Sequence, residues 1–595
     1  MAAAWALWIV AAQAFLCTPL LRHLLNSHSP KIHLEYDSAW SIWPGTVHVR
    51  GLVLSGQDRA VEWRLSLDRA TTSIAVGQLP GRIFHATHVR VQGVAFALRR
   101  RVFVRGEDVS RARGLPPIDG LGPVPYKEEG PEDLLPDWRY RLFSVWLEDI
   151  EGNEVKEIWI DRWRVRGNAE VAGAFYLKPL REVLVAPGVL SLRGASVDEA
   201  GVPVAEAIEG TLRASIGAFD PRGITQERLF RTVGAEVDLR GRVAGLEVLG
   251  GSGGSGPALL QAHIERGRIE RANVSADLRA PGFRGLEAAA LRLRASVAGK
   301  AEARLEVDAP RFPAGTVRAG RARLELRGDP PDLGRLRPPR SASFDLGGGR
   351  IADARLLGRR LLRSGRVRGG TGSFAAHLEG PPRQLRGTVH VSLQDLRVAA
   401  RGVMVQGDAR VDARLADFDP LRGGDLSGTG ISVSQGRLVP DMEIGPGWWG
   451  VATLRRARVR LDRPRLDAEV EASCRDARPI VGVYAHLEDL PGFLNSLFGM
   501  DGLSVHGTAH LGRGWLSLPE VSAEGNGASV RATLREDGQG ETGAALLTVH
   551  GISFALDLDG GGSSLHLFGP GDFFAGRQRE VKAMPMGRRA PLFRR

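Results

Sequence analysis

Two histidines spaced H-x-x-H, His85 and His88, and two carboxylates with one residue between them, Asp557 and Asp559, are the side chains here whose types and spacing could do chemistry. A pair of imidazoles suits a divalent metal, but no third ligand stands near them, and a loop origin is expected. Paired carboxylates could share a proton or a cation. Asp557 and Asp559, however, sit two apart on what reads as the wet face of a strand, where such pairs are ordinary. Three further histidines recur in related phrases: Gly45-Thr46-Val47-His48-Val49, Gly387-Thr388-Val389-His390-Val391 and Gly507-Thr508-Ala509-His510-Leu511. Each phrase opens a strand with Gly and sets its His on the polar face, as a solvated side chain and not as a ligand. No phosphate loop, H-E-x-x-H, EF-hand loop or G-x-S-x-G occurs. The expectation is no enzyme, with no catalytic residues, no metal and no cofactor.

The elements around these residues carry more information. Of 595 residues, 43% are hydrophobic and 25% charged, the balance of a folded chain and neither a disordered nor a multi-span one. The 76 Gly are an excess that favours many turns and strands. Two cysteines, Cys17 and Cys474, exclude a disulfide scaffold and a Cys-rich zinc module. A formal charge of +12 raises nucleic acid or an anionic membrane as partners. Basic and acidic residues alternate along the whole chain, though, and the Arg excess is of the kind a GC-rich genome gives. No nucleic-acid partner is expected. Only residues 576–595, with Arg577, Arg579, Lys582, Arg588, Arg589, Arg594 and Arg595 against Glu580, form a basic run, read as a disordered tail.

From Ala2 to Leu21 no residue is charged, about the 20 residues a helix needs to cross a bilayer core, so residues 1–25 read as an N-terminal transmembrane anchor. The start lacks the basic residues of a signal peptide, which favours an uncleaved anchor over a cleaved one. Arg22 and Lys31 follow the helix, against the positive-inside rule for an exported body, although long domains translocate regardless of flanking charge. Trp40, Ile42 and Trp43 belong either to the membrane interface or to the start of the first strand.

Past the anchor, apolar and polar residues alternate with period two. Ala272, Val274, Ala276, Leu278 and Ala280 do so; Ala301, Ala303, Leu305, Val307 and Ala309 follow, and later Leu466, Ala468, Val470, Ala472 and Cys474. These are strands with one wet and one dry face. Breaks divide the chain into an N-terminal β unit at 31–102, a Pro-rich loop at 103–140 and a repetitive β body at 141–488. A short amphipathic helix at 489–500 and a C-terminal β unit at 501–575 complete it. Gly250 to Gly256 reads as a flexible loop and the prolines at 330, 331, 338 and 339 as an interruption. A dry face of Ala, Val and Leu, with 6% aromatics overall, has little bulk to fill a closed core, so another sheet, the sheet itself or an apolar ligand must cover it. Val274, Leu278, Leu305, Val307, Val470 and Ala472 are the expected lining of a trough for acyl chains. The fold expected is mostly β: a long, repetitive antiparallel β-groove, taco-like or solenoid-like, behind the N-terminal transmembrane helix and with a few short helices. Roughly 30–40 strands at ~4.8 Å would reach on the order of 150–190 Å uncoiled.

The anchor followed by Gly45-Thr46-Val47-His48-Val49-Arg50-Gly51-Leu52, then Trp63-Arg64-Leu65-Ser66-Leu67-Asp68 and Val89-Arg90-Val91-Gln92-Gly93-Val94-Ala95-Phe96, resembles the AsmA-like superfamily, which includes the TamB and YhdP proteins of Gram-negative envelopes. Ile158-Trp159-Ile160 and Gly173-Ala174-Phe175-Tyr176-Leu177 fit the same picture. The resemblance implies a single-pass inner-membrane protein with its body in the periplasm, a lipid-lined β-groove, and a part in phospholipid transport and in outer-membrane biogenesis or integrity. It implies phospholipid acyl chains, the inner membrane and an outer-membrane protein as partners. The alternative is a non-enzymatic assembly scaffold that pairs its sheet edge with outer-membrane protein strands.

Overall fold

The computed structural model describes residues 2–28, 32–57, 61–103, 115–127, 143–179, 181–220, 225–283, 286–311, 317–335, 337–355, 365–400, 403–439, 447–475, 502–512, 514–525, 527–537, 540–559 and 562–583. They are mostly β, with 35 strands and a few short helices. Two compact units divide the chain: residues 1–284, 288–305 and 327–338 form the first, and residues 285–287, 306–326 and 339–595 the second. The last change of unit falls between Pro338 and Pro339, inside the proline cluster.

The apolar N-terminal run is not one helix. Helix α1 spans Ala2–Cys17 and helix α2 spans Leu20–His28. The axis turns by 57° between them, so no single helix among the described residues is long and apolar enough to cross a membrane. Pro19 explains the break: it has no N–H to bond residue 15, and its ring displaces that residue's carbonyl. Both helices pack on the first strands, where Leu16, Leu34, Tyr36 and Ala39 form a small buried cluster. Trp40 is half-buried on the strand Ser38–Trp40, whereas Ile42 and Trp43 are exposed.

The first unit opens with the antiparallel pair Thr46–Gln57 and Val61–Ile74. Next comes a broken row, Ile83–Gln92 then Ala95–Arg100, lying parallel to a second broken row, Ser144–Asn153 then Glu157–Ile160. Parallel neighbours need a long crossover, and residues 101–143 supply it. Of its described residues, 115–127 do not stand free as a loop: Tyr126 and Lys127 pair with Val102 and Phe103. This segment folds over Arg99, which is 1% exposed, donates to the Glu62 carboxylate and to the Gly122 carbonyl, and reaches the carbonyls of Pro116 at 2.9 Å and Pro123 at 3.3 Å. His85 and His88 lie on the strand Ile83–Gln92 instead of a loop, and each faces a carboxylate of the neighbouring row: His85 to Glu148 at 3.2 Å, His88 to Asp149 at 3.8 Å.

From Trp163–Lys178 to Ala290–Ala298 the first unit continues as antiparallel neighbours in sequence order. The Gly250–Gly256 run, expected to be a loop, belongs from Gly251 onward to the strand Gly251–Glu265. Gly253 and Gly254 take φ values of +58° and +83°, open to glycine without strain, and the run stays in register with the strand Arg268–Phe283. Bulges between Arg166 and Asn168, between Leu192 and Ala195 and beyond Glu206 fall on successive strands. A bulge bends its strand, and at this bend Val155, Ala169, Leu192, Ala195 and Ile208 are buried together.

The second unit runs in the same antiparallel manner from Ser341–Ile351 to the short strand Gly562–His566. The amphipathic helix expected at 489–500 lies outside the described residues. A correction applies at the C-terminus: residues 576–583 are not tail but the second half of a helix, Pro570–Ala583. Phe574 and Val581 are its buried side chains, and Arg577 ties it to Asp557 at 3.0 Å. Burial of two apolar side chains and a partly buried ion pair outweigh the charge pattern that suggests a solvated tail.

Candidate functional site

Strand register decides which side chains share a face, because directly opposed residues point the same way. In the second unit this produces one unbroken apolar lane. Phe374, Val391, Val411, Ile431, Ala452, Ala472, Val505, Ala523, Val530, Leu547 and Phe554 are each the cross-strand partner of the next. Beside it Leu454, Val470, Gly507, Val521, Ala532 and Ala545 form a second. The first unit has its own lane through Ala169, Leu192, Gly210, Leu239, Leu260, Val274 and Ala295. No lane contains a charged or hydrogen-bonding side chain.

The long lane is apolar without being sealed. Of its members only Ala523 and Leu547 are buried; the others are half-buried, and in the first unit Leu260 is 39% exposed. The opposite face carries ion pairs across neighbouring strands, among them Arg213 with Glu236 at 3.1 Å, Arg294 with Asp277 at 2.8 Å and Arg456 with Glu469 at 3.3 Å. Such exposed pairs contribute little stability each, but they keep that face in water and leave the lane face as the surface suited to an apolar partner.

The six residues expected to line a trough divide as follows. Val274, Val470 and Ala472 are half-buried lane members. Leu305 and Val307 are half-buried on the strand Ala301–Asp308. Leu278, opposite Leu291, is 4% exposed, so a charge placed there would test folding more than ligand contact. Alternation does not single out Phe374, Ile431 or Phe554. The first follows a glycine run, the second shares a strand with a bulge between Val433 and Gly436, and only the pairing register joins them into a line.

Compared with protein-family models and with curated proteins, the chain matches none. Its chemistry is therefore read from the faces alone. Among the described residues no group of three or more His, Cys, Asp or Glu is placed to hold a metal ion. The recurrent histidines each meet the residue directly across the ladder: His48 bonds Thr71 at 3.0 Å, His390 bonds Asp412 at 2.6 Å and His510 bonds Asp467 at 2.6 Å. The bonds from His390 and then Arg410 hold the Asp412 carboxyl below its usual range. Burial pushes Asp467 up, but bonds from Arg465 and His510 outweigh it and the net direction is down.

A fourth such pair, His377 with Asp345 at 2.5 Å, raises the imidazole above its ordinary value through that hydrogen bond. The protonated ring is the bonded form. Its contribution to stability is therefore complete below the ordinary histidine pKa and is lost as pH rises through the raised one. NMR titration of the His377 ring should give a midpoint above ~6.5, and Asp345→Asn should bring it back down. An unchanged midpoint in the variant would mean that the pair does not form in solution.

Proposed function

We propose that this protein is a membrane-attached, non-enzymatic lipid-handling protein of the cell envelope, whose apolar sheet face forms a groove for phospholipid acyl chains. The observation that carries this reading is the long lane: eleven strands, each paired with the next, contribute one uncharged side chain each, nine half-buried and two, Ala523 and Leu547, buried. At ~4.8 Å per strand it measures roughly 50 Å, about three times the ~15 Å that one leaflet's chains occupy in a ~30 Å core. A lane of that length without a polar side chain suits the sheltering of hydrocarbon from water. The AsmA-like resemblance of the N-terminal phrases agrees with it and implies a body in the periplasm, attached to the inner membrane and serving phospholipid transport to, and the integrity of, the outer membrane.

Lipid extraction from the purified full chain tests the reading. Phospholipid should co-purify, and Val391→Asp and Ile431→Asp should each lower its content at least severalfold while the melting temperature stays near that of the parent. Ser432→Asp, one step along the same strand on the other face, should leave the lipid in place. A parent chain free of lipid, or lipid unaffected by both lane substitutions, overturns the groove.

One observation favours a second reading, the assembly scaffold. The strand Gly562–His566 pairs with Ile552–Asp559 on one side and has no strand on its other side among the described residues. An open edge can add a strand from a client such as an outer-membrane protein. Crosslinks from Ser564 to a client, obtained with a lipid-free chain, would move the assignment there.

A further inference from the structure

The sheet of the first unit begins on a broken row. Ile32–Glu35 and Ser38–Trp40 both pair with Thr46–Gln57, and neither has a strand on its other side among the described residues. A row in that position turns N–H and C=O groups outward, a template on which another chain can add a strand. Here side chains of α1 and α2 have taken those groups. Asn26 Oδ1 accepts from the Leu34 N–H at 2.8 Å, and Asn26 Nδ2 donates to the Leu34 carbonyl at 3.2 Å. Cys17 Sγ donates to the Ala39 carbonyl at 3.3 Å, and Gln13 Nε2 to the Ser41 carbonyl at 3.2 Å.

Asn26 does what a strand would do. In an antiparallel pair, two residues facing each other across the ladder exchange both N–H···O bonds, and a primary amide carries the same kinds of donor and acceptor as a peptide group. One side chain thus gives Leu34 the two bonds that one residue of a neighbouring strand would give. Nothing in helix formation calls for Asn at position 26, since its propensity is among the lower ones and its bonds leave the helix. The helices also occupy the place of such a strand, about 4.8 Å beyond the row. Leu16 of α1 is buried in one cluster with Leu34, Tyr36 and Ala39, its carbonyl accepts from the Tyr36 hydroxyl at 2.8 Å, and the Arg22 guanidinium of α2 lies 4.9 Å from the Tyr36 ring centroid.

We propose that α1 and α2 are an intramolecular edge guard, with Asn26 at its centre, that closes the first edge of the sheet to strand addition by a second copy of this chain. A copy is suited to the site. About a twofold axis at Leu34, each Leu34 would give the other the two bonds that Asn26 gives now, and each His33 would face Glu35 of the second copy. The guard goes beyond the lipid reading and holds whatever fills the lane.

The test compares the full chain, in mild detergent, with Asn26→Leu, which keeps the bulk of the side chain and removes both bonds. The parent should sediment as a monomer, with its Leu34 amide protected from hydrogen exchange. The variant should self-associate more tightly by on the order of tenfold or more, the worth of two hydrogen bonds of ordinary strength. Its Leu34 amide should exchange fast in dilute solution and slow down as the concentration rises, while the strand Val61–Ile74 stays protected throughout. Protection that depends on concentration marks a strand supplied by a copy, and loosening of the helices alone does not produce it. Fast exchange at every concentration in a monomer reduces Asn26 to a fastening of α2 and overturns the guard. Association with Leu34 still fast puts the contact on another surface and overturns it too, as does a parent that already pairs through Leu34. Asn26→Ala removes the same bonds without adding apolar bulk, and serves for the same comparison where Asn26→Leu does not fold.

Discussion

Replacing Arg99 with Met should destabilise the first unit by ~3–5 kcal/mol, the cost of leaving a buried carboxylate without its cation. Glu62 is 3% exposed and Arg99 1% exposed, and the two sit opposite each other on neighbouring strands. The guanidinium also holds three carbonyls of the segment 115–127, so its loss releases that segment as well. The double variant Glu62→Leu with Arg99→Met should recover only part of the loss, because the carbonyls of Pro116, Gly122 and Pro123 remain without their donor, each at ~1–3 kcal/mol if it stays buried. Hydrogen exchange over 61–66, 95–100 and 115–127, with urea melts of the parent, the single variants and the double, measures both. A single-variant cost under ~1 kcal/mol would mean that water reaches the pair, as it reaches ordinary surface ion pairs.

The second large effect is expected at Phe574. This ring is 2% exposed on the inner side of the C-terminal helix, over strands whose Ala544 and Ala555 are fully buried, and the Arg531 guanidinium lies 5.2 Å from its centroid. Phe574→Ala should cost ~3–5 kcal/mol, from the lost apolar area and the cavity left behind. Because the helix covers only the last strands, the result should be local release and not global unfolding. Amides of 570–583 should lose protection while those of the strand Thr46–Gln57 keep theirs. Protection unchanged in the helix would place Phe574 outside any tight contact.

Much of this architecture is legible in the residues themselves, and the reasons for the exceptions are physical. Ala272 to Ala280 and Leu466 to Cys474 alternate cleanly because one face meets water and the other does not, and both are strands. Strand number is also readable, since the glycine content and the repeated phrases set the spacing of the turns. Bulges defeat simple periodicity. At Asp395 and Gln435 the backbone takes φ values of +51° and +55°, and the residues beyond change face, so Leu393 and Leu396 do not obey one rule of two. Glycine misleads in another way. A Gly-Ser run reads as flexible because nothing restrains it locally, yet Gly251 to Gly256 is restrained by the partner strand, a contact far away in sequence. Proline 19 could have been read as a helix break. The uncharged run around it hides that, since hydropathy records composition and not backbone geometry. The lanes are the least legible feature, because they exist only once register places Phe374 in line with Phe554, 180 residues later.

The parallel pairing of the two broken rows also sets an order of events. Nearly every other strand in either unit can find its neighbour as soon as the next dozen or so residues follow it, so those hairpins can close one at a time in the direction of synthesis. Ile83–Gln92 must wait for Ser144–Asn153, some sixty residues later, and until then its edge is open. Loop-closure entropy makes such non-local contacts slow, and an open edge is a template for wrong pairing. The crossover segment and its Arg99 clasp thus stand at the slowest and most exposed step in the chain's folding. A stalled or truncated nascent chain ending before residue 144 is the form most prone to aggregate.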